Sequence, residues 1–75
     1  MINAQQFLND FKKILLEEEN ITLKSNFKQL KSYDSLFVLE IIQLFDEKYG
    51  INLDISIINK SNSLQDLYDK AFNVN

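Results

Sequence analysis

The sequence predicts an all-α fold with three sustained helices, one short helix and one long loop between the first two helices. Three stretches of the 75-residue chain repeat apolar side chains every three or four residues, which is the spacing of an amphipathic helix. A short polar residue that can cap a helix stands before each stretch. Proline is absent, and the single glycine, Gly50, follows the second stretch, where a helix end favours glycine.

The first helix is predicted over residues 3–18. Asn3 is the expected N-cap, and Gln6 stands where the second residue of a capping box belongs. Residues 20–34 show no sustained period, so they are predicted to form a long loop whose apolar side chains pack under the helices. A loop of this length is unusual in a small domain and indicates function. The apolar face of the first helix comprises Phe7, Leu8, Phe11, Ile14 and Leu15.

The second helix is predicted over residues 33–49 and ends at Gly50. Asp34 and Ser35 stand at its start, where a short polar side chain is favoured. Ser35 has two interpretations: it caps the helix, or it is an attachment point for a phosphate, which the helix dipole and free backbone N–H groups would favour. The expected buried face comprises Val38, Ile41, Ile42, Phe45 and Tyr49.

The rest of the chain predicts a short helix and a final helix. Asp54 is expected to cap the short helix, which runs to about Asn59 with its isoleucines inside. Ser63 is expected to cap the last helix, with Asp66 in the first turn. The isoleucines are Ile55, Ile57 and Ile58, and the buried stripe of the last helix comprises Leu64, Leu67, Tyr68, Ala71 and Phe72.

Composition and charge exclude several classes of function. Cysteine and histidine are absent, which excludes disulfides, a Cys/His metal site, thiol chemistry and imidazole acid–base chemistry. The chain is therefore expected to work in the cytoplasm and not to be an enzyme by itself. A net charge of −3 argues against nucleic acid as a partner, and no apolar run has membrane-spanning length. Segment 34–49 carries the largest net negative charge of the chain, which favours partners with basic surfaces.

Four short motifs in order along the chain carry a family resemblance. They are Asp34-Ser35-Leu36, Glu40-Ile41-Ile42, the run Phe45 to Tyr49 (FDEKY) and the run Ser63 to Leu67 (SLQDL), with Phe27 eight residues before the serine. With them the chain resembles the acyl carrier proteins over most of its length. The resemblance implies one four-helix domain, residues 1–75, whose Ser35 carries 4′-phosphopantetheine. The thiol of that arm would hold an acyl or related group as a thioester.

The resemblance also implies partners and roles. A phosphopantetheinyl transferase would load Ser35, and acyl- or aminoacyl-loading and transfer enzymes with basic surfaces would then visit the carrier, which is expected to be a monomer. Asp34 and Leu36 flank the serine, and Asp34 is expected to help the transferase recognise it. The residues expected to bind partners are Leu36, Phe37, Glu40, Gln43 and Glu47, with Phe37 taken as exposed. The residues expected to line the core or an acyl pocket are Phe27, Val38, Ile42, Phe45, Tyr49, Leu64, Leu67 and Tyr68.

Two departures from the fatty-acid carriers favour a carrier of a specialised pathway. The aromatic Tyr33 stands directly before Asp34, and residues 55–57 are Ile-Ser-Ile where those carriers place carboxylates. Large core residues such as Phe45 and Tyr49 also suggest less room for a long acyl chain.

Two other classes of function stay open at this point. The chain is alternatively an acidic helical interaction module without a prosthetic group, in which Leu36, Phe37 and Glu40 bind a basic helix or groove. An exposed Phe37 would favour this interpretation. An enzyme that uses Asp34 and Glu40 is disfavoured, because carboxylates six residues apart do not share a helix face closely.

Overall fold

The computed structural model describes residues 2–15, 20–31 and 33–72. Within them the chain is an all-α bundle, and no β-strand occurs, so the predicted fold class is confirmed. The α-helices are α1 (Ala4–Lys13), α2 (Ser35–Leu44), α3 (Ile55–Lys60) and α4 (Leu64–Phe72).

Helix α1 begins as predicted and ends early. The side chain of Asn3 accepts a hydrogen bond from the Gln6 amide at 2.8 Å. The amide of Gln6's own side chain turns to Asp10 at 3.0 Å, so only half of the capping box forms. The helix stops at Lys13, and the Ile14 amide closes the last turn on the carbonyl of Phe11, three residues back. The expected continuation through residue 15 is therefore wrong, and residues 16–18 lie outside the described residues.

Helix α2 continues without a break into a π-helical turn, Phe45–Tyr49. Gly50 then ends the element with φ 65°, a left-handed conformation that costs glycine little and other residues more. Its amide donates to the carbonyl of Asp46 at 3.2 Å, and the Ile51 amide donates to that of Phe45 at 3.0 Å. The predicted end of the second helix at Gly50 is confirmed.

The predicted long loop contains ordered structure of its own. Ile21 and Phe27 are buried, and Phe27 begins a 3-10 turn, Phe27–Gln29. The side chain of Asn26 caps this turn by accepting from the Lys28 amide at 3.0 Å.

Hydrogen bonds attach this loop to the junction between α3 and α4. Asn26 forms an antiparallel bridge with Ser63. The further bonds join the Leu64 amide to the Ser25 carbonyl at 3.2 Å, the Gln65 amide to the Leu23 carbonyl at 2.8 Å, and the Lys28 ammonium to the Asn59 carbonyl at 2.6 Å.

Helices α3 and α4 begin at the predicted caps. Asp54 accepts from the Ser56 amide at 2.9 Å, and the Ser63 hydroxyl accepts from the Asp66 amide at 3.0 Å. The placement of Ile55 inside is wrong, since its side chain is 53% exposed. Leu53, just before the extended cap residue Asp54, is buried instead.

All nine aromatic residues form one connected network through the bundle. Four of them surround the start of α2, and we name them the serine-end cluster: Phe11, Phe27, Tyr33 and Phe37. Five surround the other end of the bundle, and we name them the far-end cluster: Phe7, Phe45, Tyr49, Tyr68 and Phe72.

Candidate functional site

Ser35 is the first residue of α2, and its side chain is exposed. The N-cap is Asp34, whose backbone is extended and whose side chain accepts from the Phe37 amide at 2.8 Å. Of the two interpretations of Ser35, the capping role therefore falls to its neighbour. Among the described residues, no group forms a hydrogen bond with the Ser35 hydroxyl.

The backbone at the start of α2 has the properties of an anion site. The carbonyl of Asp34 accepts from the Val38 amide at 3.0 Å, and its carboxylate occupies the Phe37 amide. The amides of Ser35 and Leu36 have no hydrogen-bond partner within the described part of the chain. These N–H groups and the positive end of the helix dipole would suit the phosphate of a phosphopantetheine arm on Ser35. When bound, the arm supplies a thiol, which a chain without cysteine lacks.

Four residues expected to bind partners lie on one exposed side of α2 and its π-helical turn. Leu36 is 69% exposed, and Glu40, Gln43 and Glu47 are exposed as well. Their spacing of three or four residues places them in one row. The side-chain amide of Gln43 donates to Glu47 at 3.3 Å. The row thus presents one apolar residue beside the serine, followed by carboxylates.

The expectation that Phe37 is exposed is wrong. Its side chain is 3% exposed, and its ring contacts Phe11 edge to face, with ring centroids 5.6 Å apart. Helical spacing places Phe37 with Ile41 and Leu44 on the face that meets the core. The observation that favoured an interaction module without a prosthetic group is therefore removed.

Two exposed apolar residues were not anticipated. Leu39 is 61% exposed and lies one helical turn beyond Leu36, and Ile55 is 53% exposed at the start of α3. The three-residue step from Leu36 to Leu39 is the signal that would have found the first. Together with Leu36 they are the large exposed apolar side chains of the described residues.

The residues expected to line a core or pocket separate into two groups. Four are fully buried in the core: Phe27, Phe45, Leu64 and Leu67. Four are partly buried and pack against it: Val38, Ile42, Tyr49 and Tyr68.

An open groove of about 470 Å³ lies beside the far-end cluster, not beside Ser35. Its lining residues are Ile2, Lys48, Tyr49, Ile51 and Phe72. Tyr49 follows Ser35 by fourteen residues of helical chain, a distance of about 20 Å along the axis.

A buried carboxylate holds α1 to the π-helical turn at that same end. Asp10 is buried and accepts from the Tyr49 hydroxyl at 2.8 Å, and the Lys48 ammonium stands 3.7 Å away. Burial raises the pKa of Tyr49, and the hydrogen bond and charge of Asp10 raise it further. This group is far from Ser35 and belongs to the scaffold.

One of the comparisons with known proteins identifies a family. A family model described as the phosphopantetheine attachment site matches residues 5–70, most of the chain. No curated protein and no solved structure gives a significant match. In residues 2–15, 20–31 and 33–72, no helix is both long and apolar enough to cross a membrane. Proteins of the matched family hold phosphopantetheine covalently, are generally non-catalytic, and interact with a phosphopantetheinyl transferase and with biosynthetic enzymes. The chain belongs to the phosphopantetheine attachment-site family and is a phosphopantetheine-carrying carrier protein.

Proposed function

We propose that Ser35 bears the 4′-phosphopantetheine arm, and that the arm holds an acyl or related group as a thioester for partner enzymes of a specialised biosynthetic pathway in the cytoplasm. One observation carries the assignment. The Ser35 hydroxyl is exposed and free of hydrogen bonds among the described residues, at a helix start that Asp34 already caps. A transferase can thus reach the oxygen without breaking a contact that holds the helix.

In loading, the chain itself positions the serine oxygen and stabilises the phosphate. Helix α2 holds the serine oxygen at a fixed, exposed place, and the amides of Ser35 and Leu36 favour the phosphate that arrives there. Because no side chain in hydrogen-bond contact with Ser35 could take its proton within the described residues, the transferase supplies the base. The carrier in this proposal presents its cargo and does not transform it.

The partner surface in this proposal is the exposed side of α2. Leu36 and Leu39 offer apolar contact beside the serine, and Glu40 and Glu47 offer negative charge farther along. Charged groups in such a row raise the encounter rate with basic surfaces, and a few apolar residues supply most of the binding energy. Ile55, at the start of α3, is a further exposed apolar residue, where the fatty-acid carriers place carboxylates.

The test is the intact mass of the protein before and after incubation with coenzyme A, magnesium and a broad-specificity phosphopantetheinyl transferase. Wild type should gain one phosphopantetheine, and Ser35→Ala should gain none. Ser56, which starts a different helix, gives the matched control: Ser56→Ala should be loaded like wild type. A wild-type chain that is folded and gains no mass would contradict the assignment, as would loading of folded Ser35→Ala.

A further inference from the structure

The serine-end cluster packs together at the start of α2. Its four rings form a closed circuit in which each ring meets the next edge to face. The centroid distances are 6.1 Å for Phe11–Phe27, 5.9 Å for Phe27–Tyr33, 6.4 Å for Tyr33–Phe37 and 5.6 Å for Phe37–Phe11. Phe11, Phe27 and Phe37 are buried, and Tyr33 is partly buried against them. Edge-to-face contact at such distances is the favourable arrangement of aromatic pairs.

Each ring of the circuit is held by a different part of the backbone. Phe11 belongs to α1, Phe27 to the 3-10 turn and Phe37 to α2, while Tyr33 precedes α2 and donates its amide to the Leu30 carbonyl at 3.1 Å. Rotating one of these side chains does not open space for a chain of methylenes inside the cluster. Such space needs the displacement of whole elements, because a packed core does not accept extra volume without strain.

The groove at the far end of α2 does not provide room for a cargo that is attached at Ser35. It opens beside Tyr49 and Phe72, about 20 Å from Ser35 along the helix axis, and the aromatic network stands between the two places. A cargo that reached the groove would have to pass along the outside of the bundle.

From this packing we infer that the carrier holds a short or polar acyl group, such as an acetyl-sized or aminoacyl group, outside the helix bundle with its thioester exposed to water. The inference rests on the proposed attachment at Ser35. A long aliphatic chain left outside would expose its methylenes to water, which is unfavourable. A short or polar group exposes few methylenes to water outside the bundle, and a partner enzyme can reach it directly.

The experiment compares two cargoes on wild-type protein. The transferase loads acetyl- and octanoyl-phosphopantetheine from the corresponding coenzyme A thioesters, and intact mass confirms each product. The rate of thioester cleavage by hydroxylamine is then measured for both. Equal rates, and equal melting temperatures, are expected. Cleavage of the octanoyl form slower by about tenfold, the factor that 1.4 kcal/mol of protection gives, would overturn the inference. The same loading without any mass gain would instead contradict the attachment at Ser35, so the two failures are distinguishable.

A variant tests Phe37, the ring of the circuit that belongs to α2. Phe37→Ala removes one side of the circuit, and the octanoyl thioester on this variant should be cleaved more slowly than the acetyl thioester. Phe37→Leu opens a smaller space and serves if Phe37→Ala does not fold. Equal cleavage of both cargoes on a folded, cavity-containing variant would overturn the role of Phe37 as the block.

Discussion

At the scale of single residues, Asp34 caps α2, and the proposed attachment residue Ser35 does not. Asp34 accepts the hydrogen bond of the Phe37 amide, and the Ser35 hydroxyl forms no hydrogen bond among the described residues. Had the serine been the cap, loading the arm would have consumed the oxygen that holds the helix start. Because the cap is Asp34, the helix start stays satisfied with and without the arm.

Asp34 can be tested for stability and for recognition separately. Asp34→Ala should lower the free energy of unfolding by about 1 kcal/mol, because the Phe37 amide loses its acceptor. Asp34→Asn keeps an acceptor oxygen and should unfold like wild type in urea. If the transferase reads the carboxylate, Asp34→Asn should still load more slowly than wild type. Equal loading rates would assign Asp34 to capping alone.

The environment of Tyr49 leads us to expect that the protein loses stability at alkaline pH. The pKa of Tyr49 is raised by burial and by Asp10, so the neutral phenol is favoured in the folded state. The stability that it contributes is present below the ordinary pKa of 10.0 and is lost as the pH rises above that value. Tyr49→Phe should be less stable by about 1 kcal/mol at pH 7, because a buried carboxylate loses a donor. It should also lose less stability between pH 9 and 11.

Thermal unfolding followed by circular dichroism checks this across the pH range. Tyr68→Phe is the matched control, because the Tyr68 hydroxyl donates to the backbone carbonyl of Ile2 at 2.7 Å and not to a carboxylate. An alkaline slope in Tyr49→Phe that equals the slope of wild type would contradict the prediction.

Phe37 shows which residue positions could not be assigned from the sequence. Helix α2 carries apolar residues on almost every side, so its spacing does not identify one buried face. Leu36 and Phe37 are adjacent and both apolar, so the pattern does not show that Leu36 is exposed and Phe37 is buried. Only the rings of Phe11 and Tyr33, which come from other parts of the chain, decide that Phe37 is inside.

At the scale of elements, three helix starts matched their predicted caps, the second helix began at Ser35 and not at residue 33, and the end of α1 was misjudged. Asn3, Asp54 and Ser63 cap the helices that they were expected to cap, since a short polar side chain before an apolar period has a direct physical role. The end of α1 was misjudged because Ile14 and Leu15 continue the apolar spacing after the helix has stopped, and both pack against the core. The side chains after the end of α1 stay packed against the core although their backbone is no longer helical.

The caps of α3 and α4 predict how the protein responds to acid. Hydrogen bonds from the backbone amide of Ser56 lower the pKa of Asp54, and those from Ser63 and Asn62 lower the pKa of Asp66. The stability they contribute is present above the ordinary value of 3.8 and is lost as the pH falls through the lower folded-state pKa. The double variant Asp54→Asn, Asp66→Asn keeps the acceptors without the titration.

The melting temperature of this double variant should therefore fall less than that of wild type between pH 5 and pH 2.5. Asp69→Asn is the control, because Asp69 accepts only from the side chain of Gln65 in the hydrogen bonds of the described residues. The double variant falling as steeply as wild type would show that other carboxylates cause the acid response.

At the scale of the whole molecule, charge and apolar surface occupy the same side of α2. The chain has a net charge of −3, and Glu40 and Glu47 stand on the face that begins at the exposed Leu36. A partner with a basic surface would be attracted from a distance and held by apolar contact at the serine.

The salt dependence of loading tests this surface. Glu40→Gln should reduce the kcat/KM of the transferase by roughly two- to fivefold at low ionic strength, because one charge of the attracting face is lost. The difference from wild type should shrink as salt is added, since screening weakens the attraction for both. Asp69→Asn removes one exposed charge on α4 and should load like wild type. Equal reductions in the two variants would show that net charge, not this face, matters.

The attachment of the 20–31 loop to the α3–α4 junction has a consequence for the order of folding. The Lys28–Asn59 and Asn26–Ser63 contacts join positions more than thirty residues apart, whereas each helix is held by bonds four residues apart. Closing so long a loop costs chain entropy before any contact is gained, so we expect the local helices to form first. Phe27 enters the serine-end cluster from this loop. The circuit of rings beneath Ser35 is therefore expected to close among the last steps of folding, and a carrier loaded before that moment would present its serine on an unfinished core.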